Sequence, residues 1–203
     1  AIPVMLFSNG FTAPPRRSPL PNMRPWTSVP EQTLVQLDHA ALASINALLA
    51  RHNCAQMRHL AELFDVTEEA LVTFPELDHY PDRGPARYWG SLPSAGTGMS
   101  VAWPQAGSKR IFAYLRAESP HHEAVLAALL ALGQASAIYF PNLPPPLAAR
   151  YAAAHMTYLD QPADIEQMVR EADLAITYAS LATTTAFLLG GKPLLMLPGH
   201  LEQ

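Results

Sequence analysis

Residues 173–203, DLAITYASLATTTAFLLGGKPLLMLPGHLEQ, decide how the chain is read. The apolar run at 174–178 predicts a short strand, and the small residues Ala179 and Ser180 turn it into a helix over 181–189. Ser180 is placed to cap that helix, and Gly190-Gly191 to stop it. Lys192-Pro193 leads into a second strand at 194–197, closed by Pro198. A strand delivered into a helix N-terminus through small residues can hold an anion. The first backbone N–H groups there lack partners, and the helix dipole favours negative charge.

The same alternation extends upstream. Residues 109–115 predict a strand, Ser119-Pro120 a cap and first turn opening a helix that runs to Gly133, and 135–140 a second strand. A helix near 147–154, a strand at 156–159 and a helix at 163–172 follow. Strands alternating with helices of this length imply a parallel, doubly wound sheet. Ligands of such sheets bind outside the carboxyl ends of the strands. That rule selects 116–118, 141–143, 160–162, 178–184 and 198–203 as the candidate rim.

Before residue 93 the pattern is looser. Residues 2–8 form a continuous apolar run, suited to a strand covered on both faces and ended by Asn9-Gly10. Six prolines between 14 and 30 exclude helix there. Leu34, Leu37, Ala41, Ile45 and Leu48 recur at helical spacing and predict an amphipathic helix over 31–50, with Pro30 at its start. A shorter helix is expected at 55–64 and a strand at 70–74. The Gly-, Ser- and Ala-rich stretch 94–108 is the best boundary between two regions of α/β character.

Composition narrows the function. With 49% hydrophobic and 15% charged residues the chain is globular, and a net charge of −4 without a basic stripe argues against nucleic acid. The most apolar stretch, 124–140, is interrupted by Gly133, Gln134 and Ser136, short of the roughly 18–20 unbroken residues of a membrane span. The single cysteine, Cys54, excludes an internal disulfide and points to a reducing cytoplasm. It reads as a small buried residue, since nothing near it completes a nucleophilic triad. His121-His122 does not read as a metal pair, because neighbouring helical residues face apart. Gly96 and Gly98 lack the preceding strand that a dinucleotide fingerprint needs, and His79, among Asp78, Tyr80 and Asp82, reads as part of a polar turn.

Taken together, the motifs resemble glycosyltransferases of the GT-B fold, of the UDP-glycosyltransferase and macrolide-glycosyltransferase type. PELDHYP followed by YWG is similar to the segment leading from the first to the second domain of that family, and 173–203 to its sugar-donor signature. The resemblance implies two Rossmann-like parallel-sheet domains, both incomplete. Residues 1–92 would be the second half of an N-terminal, acceptor-binding domain, 93–108 a linker, and 109–203 most of a C-terminal, donor-binding domain. The chain starts almost inside an apolar run and ends directly after a polar pair, which fits that expectation.

Residue by residue, the family's diphosphate-facing His falls on Tyr178 and the Gly after it on Ser180. The second small position falls on Ala182 and the helix-start Ser/Thr on Thr183. Gly191-Lys192-Pro193 keeps the Gly-x-Pro, and Glu202-Gln203 the acidic-Gln pair that holds sugar hydroxyls. Ala186 stands where many members have a ribose-binding Glu. The resemblance thus assigns the diphosphate to Arg116, Tyr178, Ser180, Leu181, Ala182, Thr183 and Thr184, and the base to Gln161 and Pro162. It assigns the sugar to Glu202 and Gln203, and the acceptor pocket to Asn9 and Phe11. The segment carrying the family's catalytic base has no counterpart here. The implied activity moves a hexose from a UDP- or TDP-sugar to a hydroxyl of a small, apolar acceptor, with no metal or other cofactor. A non-catalytic relative binding a ligand or partner, and an epimerase of the same fold, are the alternatives.

Overall fold

The computed structural model describes residues 2–91 and 98–199. They form two compact units, one from the residues up to 91 and one from those after it.

In the first unit β1 (Met5–Ser8) runs parallel to β2 (Glu68–Leu71), with Met5 opposite Glu68. Between them lie the Pro-rich loop and α1 (Glu31–Arg51), which starts directly after Pro30. The helix follows its apolar period, yet none of its residues is buried, and Leu37 and Leu48 stay exposed. The apolar start of the chain does not become a strand covered on both faces. Val4, Met5 and Phe7 are each more than half exposed, because the two-stranded sheet has no layer over them among the described residues. The helix expected at 55–64 shrinks to a 3-10 turn at Leu60–Phe64. Asn46 explains why: its side chain accepts from the Met57 N–H and donates to the Met57 C=O, both at 2.8 Å. Pinned this way, the chain has no free backbone groups there for a helical turn. The second strand begins two residues earlier than expected, and Val72 N–H continues the pairing to the Ser8 carbonyl at 2.7 Å. Cys54 is exposed rather than buried, in the turn after α1.

The second unit carries a five-stranded parallel sheet: β3 (Arg110–Tyr114), β4 (Ala135–Tyr139), β5 (Met156–Leu159), β6 (Leu174–Thr177) and β7 (Leu194–Met196). The helices are α2 (His122–Leu132), α3 (Pro145–Arg150), α4 (Ile165–Glu171) and α5 (Leu181–Leu189). Strand side chains alternate between two faces, and both are covered. Ile111, Ala113, Leu115, Ile138 and Ile176 pack with Val125, Leu126 and Leu129 of α2 and Leu147 of α3. Phe112, Ala137 and Ala175 pack on the other side with Met168 of α4 and Phe187 of α5. The Phe112 and Phe187 rings stack 6.0 Å apart.

Two helix starts differ from the sequence reading. α2 begins at His122, three residues after Ser119, whose hydroxyl accepts from His121 N–H and whose carbonyl accepts from the His122 ring. α3 begins at its prolines, which suit a first turn. Residues 98–108, expected as linker, lie against the second unit. Met99 bridges Ala163, and the Gln167 side chain holds both the N–H and the C=O of Val101.

The strand order is β5-β4-β3-β6-β7. From β3 the chain winds outward through β4 and β5, then returns to the other side of β3 through β6 and β7. The winding reverses between β3 and β6, and the connections that leave their carboxyl ends therefore run in opposite directions, which opens the crevice where ligands of open α/β sheets bind.

Candidate functional site

Arg116 lies two residues beyond β3, and Tyr178 directly follows β6, so each stands at one lip of that crevice. The Tyr114–Thr177 register brings the two loops together although they are 62 residues apart. The Arg116 guanidinium donates to the Tyr178 hydroxyl at 3.5 Å and sits 4.8 Å from the Tyr178 ring centroid. It also lies 5.8 Å from the Tyr114 ring. Tyr114 in turn meets Tyr178 edge-on at 4.6 Å and Tyr139, at the end of β4, at 4.9 Å. The carboxyl ends of three strands thus carry a run of tyrosine rings with one exposed cation against it. No carboxylate lies within ion-pair distance of Arg116 among the described residues.

The electrostatics follow from that packing. Burial alone would raise the Tyr178 phenol, but hydrogen bonds from Arg116 and Tyr114 outweigh it and hold it below the ordinary value of 10.0. Tyr114 is pushed up to about 12, first by its partial burial and then by its interaction with the Tyr178 phenol. Hydrogen bonding to Tyr178 keeps the Arg116 guanidinium protonated all the more firmly. The phenol that accepts the guanidinium's hydrogen bond is thus lowered while its neighbour is raised.

Beyond Tyr178 the chain turns through Ala179, whose φ of 65° is left-handed and unusual for a residue with a Cβ. This turn aims α5 back along the sheet. Ser180 occupies the N-cap position, but it does not cap: its hydroxyl donates to Thr183 Oγ1 at 3.0 Å. The Thr184 N–H bonds the Ser180 carbonyl at 2.9 Å, beginning the helical ladder. The N–H groups of Leu181, Ala182 and Thr183 have no partner among the described residues and stay available to an acceptor. The Thr184 hydroxyl is buried and faces the Met196 sulfur at 3.9 Å, so it offers nothing toward the rim.

The remaining candidates fall elsewhere. Gln161 and Pro162 are exposed after β5, the edge strand, separated by β4 from β3 and Arg116. Glu202 and Gln203 lie outside the described residues. In the first unit Asn9 accepts from the Phe11 N–H at 3.2 Å, and the Phe11 ring packs edge-on against His79 at 4.9 Å. A cleft of about 410 Å³ opens in that unit between the Pro-rich loop, the start of α1 and Tyr80–Asp82, and neither Asn9 nor Phe11 lines it. No three metal-ligating side chains converge among the described residues, and the His122 ring is engaged by the Ser119 carbonyl and Phe140. Among the described residues no helix is long and apolar enough to cross a membrane.

The first unit also holds a polar cluster that sequence reasoning took for a simple turn. Arg83 and Asp78, with side chains 5% and 2% exposed, form an ion pair. The guanidinium further donates to the carbonyls of Ala13 at 2.6 Å and Gly10 at 2.9 Å, and the Tyr88 hydroxyl donates to Asp78 at 2.7 Å. Gly10 has a φ of +97°, and a Cβ there would come within 2.8 Å of the Asp78 carboxylate. The pair fastens the loop that carries Asn9 and Phe11.

No protein-family model matches the sequence, and no curated protein does. Solved structures do. The chain is similar to the spinosyn rhamnosyltransferase SpnG at 18% identity, with a TM-score of 0.62 over 100% of this chain and 49% of that one. It is similar to CalG4, the calicheamicin glycosyltransferase, at 14% identity and a TM-score of 0.60, covering 96% of this chain and 49% of that one. A third, the glycotransferase of kitacinnamycin, gives 13% identity and a TM-score of 0.63, over 81% of this chain and 45% of that one. The fold is therefore that of part of a GT-B glycosyltransferase, and the chain spans about half the length of these structures.

Proposed function

We propose that this chain forms part of a glycosyltransferase that moves a hexose from a UDP- or TDP-sugar to a hydroxyl of a small, apolar acceptor. The observation that carries the reading is the crevice between β3 and β6. There Arg116, a guanidinium with no carboxylate in ion-pair distance among the described residues, stands beside three N–H groups at the start of α5 that have no partner among those residues. Both features suit the diphosphate of a nucleotide sugar, whose leaving-group charge they would stabilise without a metal. In this reading Gln161 and Pro162 lie near the base, Glu202 and Gln203 hold the sugar, and Asn9 and Phe11 border the acceptor. With one cysteine in the sequence, a reducing cytoplasm is the compartment proposed.

Titration calorimetry tests the reading. Either UDP or TDP is expected to bind with a dissociation constant of about 1 mM or tighter. No heat with both nucleotides at about five times that concentration would remove the sugar-donor site.

A second reading, a non-catalytic relative that binds a ligand through the same crevice, is favoured by one feature: a phenol stands at Tyr178 where the family carries an imidazole. Tyr178→His separates the two readings. Gain of sugar-donor hydrolysis or transfer would mark an impaired enzyme site, and unchanged inactivity a binding module.

A further inference from the structure

Resting on the diphosphate reading above, we propose that Tyr178 is a positioning residue: it holds the Arg116 guanidinium at the crevice and does not itself contact the ligand. An arginine on an exposed loop samples many rotamers, and ordering it costs side-chain entropy. Here that freedom is removed before any ligand arrives. The flat guanidinium rests against the Tyr178 ring at 4.8 Å and bonds its hydroxyl, while the Tyr114 ring limits it on a further side at 5.8 Å. The Tyr178 ring is itself held, meeting Tyr114 edge-on at 4.6 Å, and Tyr114 meets Tyr139. One face and one N–H of the guanidinium are occupied by tyrosine, which leaves the other donors of its fork for a bidentate anion.

Direct contact with the ligand is the poorer role for Tyr178. Its hydroxyl is engaged by Arg116, and its ring is packed by the guanidinium and, at a steep angle, by the Tyr114 ring. Its reach to an anion runs through Arg116.

The test is a double-mutant cycle on the full chain, read by calorimetry with UDP, inorganic pyrophosphate and uridine. Tyr178→Ala is expected to weaken UDP and pyrophosphate about tenfold or more, and Tyr178→Phe, which keeps the ring, roughly threefold. Uridine, which has no phosphate, binds all variants alike. In an Arg116→Ala background the further change Tyr178→Ala costs less than about twofold, because nothing is left to position. Equal losses in both backgrounds would overturn the proposal, as would uridine weakening in step with UDP, which marks a merely structural defect. If the unaltered chain binds neither UDP nor pyrophosphate, the diphosphate reading itself falls and this one with it. Binding by the unaltered chain with additive losses overturns only the positioning role.

Discussion

Replacing Arg83 by Met probes the least expected feature of the first unit. The substitution keeps much of the side-chain volume but removes five donors from a site where Arg83 is 5% exposed and its partner Asp78 2%. What stays behind is a buried carboxylate still bonded by the Tyr80 N–H and the Tyr88 hydroxyl but stripped of its countercharge. The carbonyls of Gly10 and Ala13 lose their donors at the same time. Breaking a buried pair from one side costs about 3–5 kcal/mol, against about 5–15 kcal/mol for a whole domain. The lost carbonyl bonds fall within that figure, not on top of it, because all belong to one network. Native-state amide exchange gives the readout, with peptides covering β1, β2 and residues 9–13 compared with peptides of β3 and β4. Protection in the first set should fall about a hundredfold or more while the second set is unmoved. A loss below about 1 kcal/mol would mean that water reaches Asp78 freely, and the argument from burial would be refuted.

The same pair sets an acid limit. Burial raises the Asp78 carboxyl, but hydrogen bonds from Arg83, the Tyr80 N–H and Tyr88 outweigh it and hold it below its ordinary 3.8. A depressed folded value stabilises above the unfolded one, so the pair's contribution is full above about pH 4–5 and disappears as pH falls through the lower folded value. Acid titration of amide exchange should show residues 9–13 opening in that range, and Arg83→Met should flatten the dependence. At the other site, Ala179→Val is expected to destabilise the second unit by about 2 kcal/mol or more, because a β-branched residue at φ 65° is strained. Ala179→Gly, free of that strain, should be neutral or better, and equal thermal midpoints for both variants would contradict the left-handed turn.

The second unit was legible because its punctuation is physical. Each strand is a short apolar run, and α2 and α5 stop at left-handed glycines, Gly133 with φ 62° and Gly191 with φ 64°. The strand order was not legible. Nothing in the residues states that β6 returns beside β3, so the whole rim had to be nominated when only the loops after β3 and β6 flank the reversal. The pairing of Arg116 with Tyr178 was hidden for the same reason, since it exists only through that adjacency. Asp78 and Arg83 were visible as opposite charges five apart in a turn, but turns with such charges are ordinarily solvated, and burial leaves no mark on the residues themselves. In the first unit the periodicity of α1 located the helix correctly. It also implied a covered face, which the described residues do not supply.

Ser180 shows how a correct local rule can work against the site it was used to locate. A serine at an N-cap normally accepts from the second or third helical N–H, satisfying one of the groups that make a helix start attractive to anions. Capping and anion binding therefore compete for the same donors, and the sequence supports both at once. The structure resolves the competition through Thr183. By donating to Thr183 Oγ1, the Ser180 hydroxyl is turned away from the backbone, and the N–H groups of Leu181, Ala182 and Thr183 stay without a partner among the described residues. A glycine, the family's residue at this position, leaves those groups open by having no side chain. Here a side chain is present but occupied, and the cost is the left-handed Ala179 that sets the angle of entry. The side chains of this turn thus leave its N–H groups without a partner among the described residues, and Arg116 places a positive charge beside Tyr178 from the neighbouring strand.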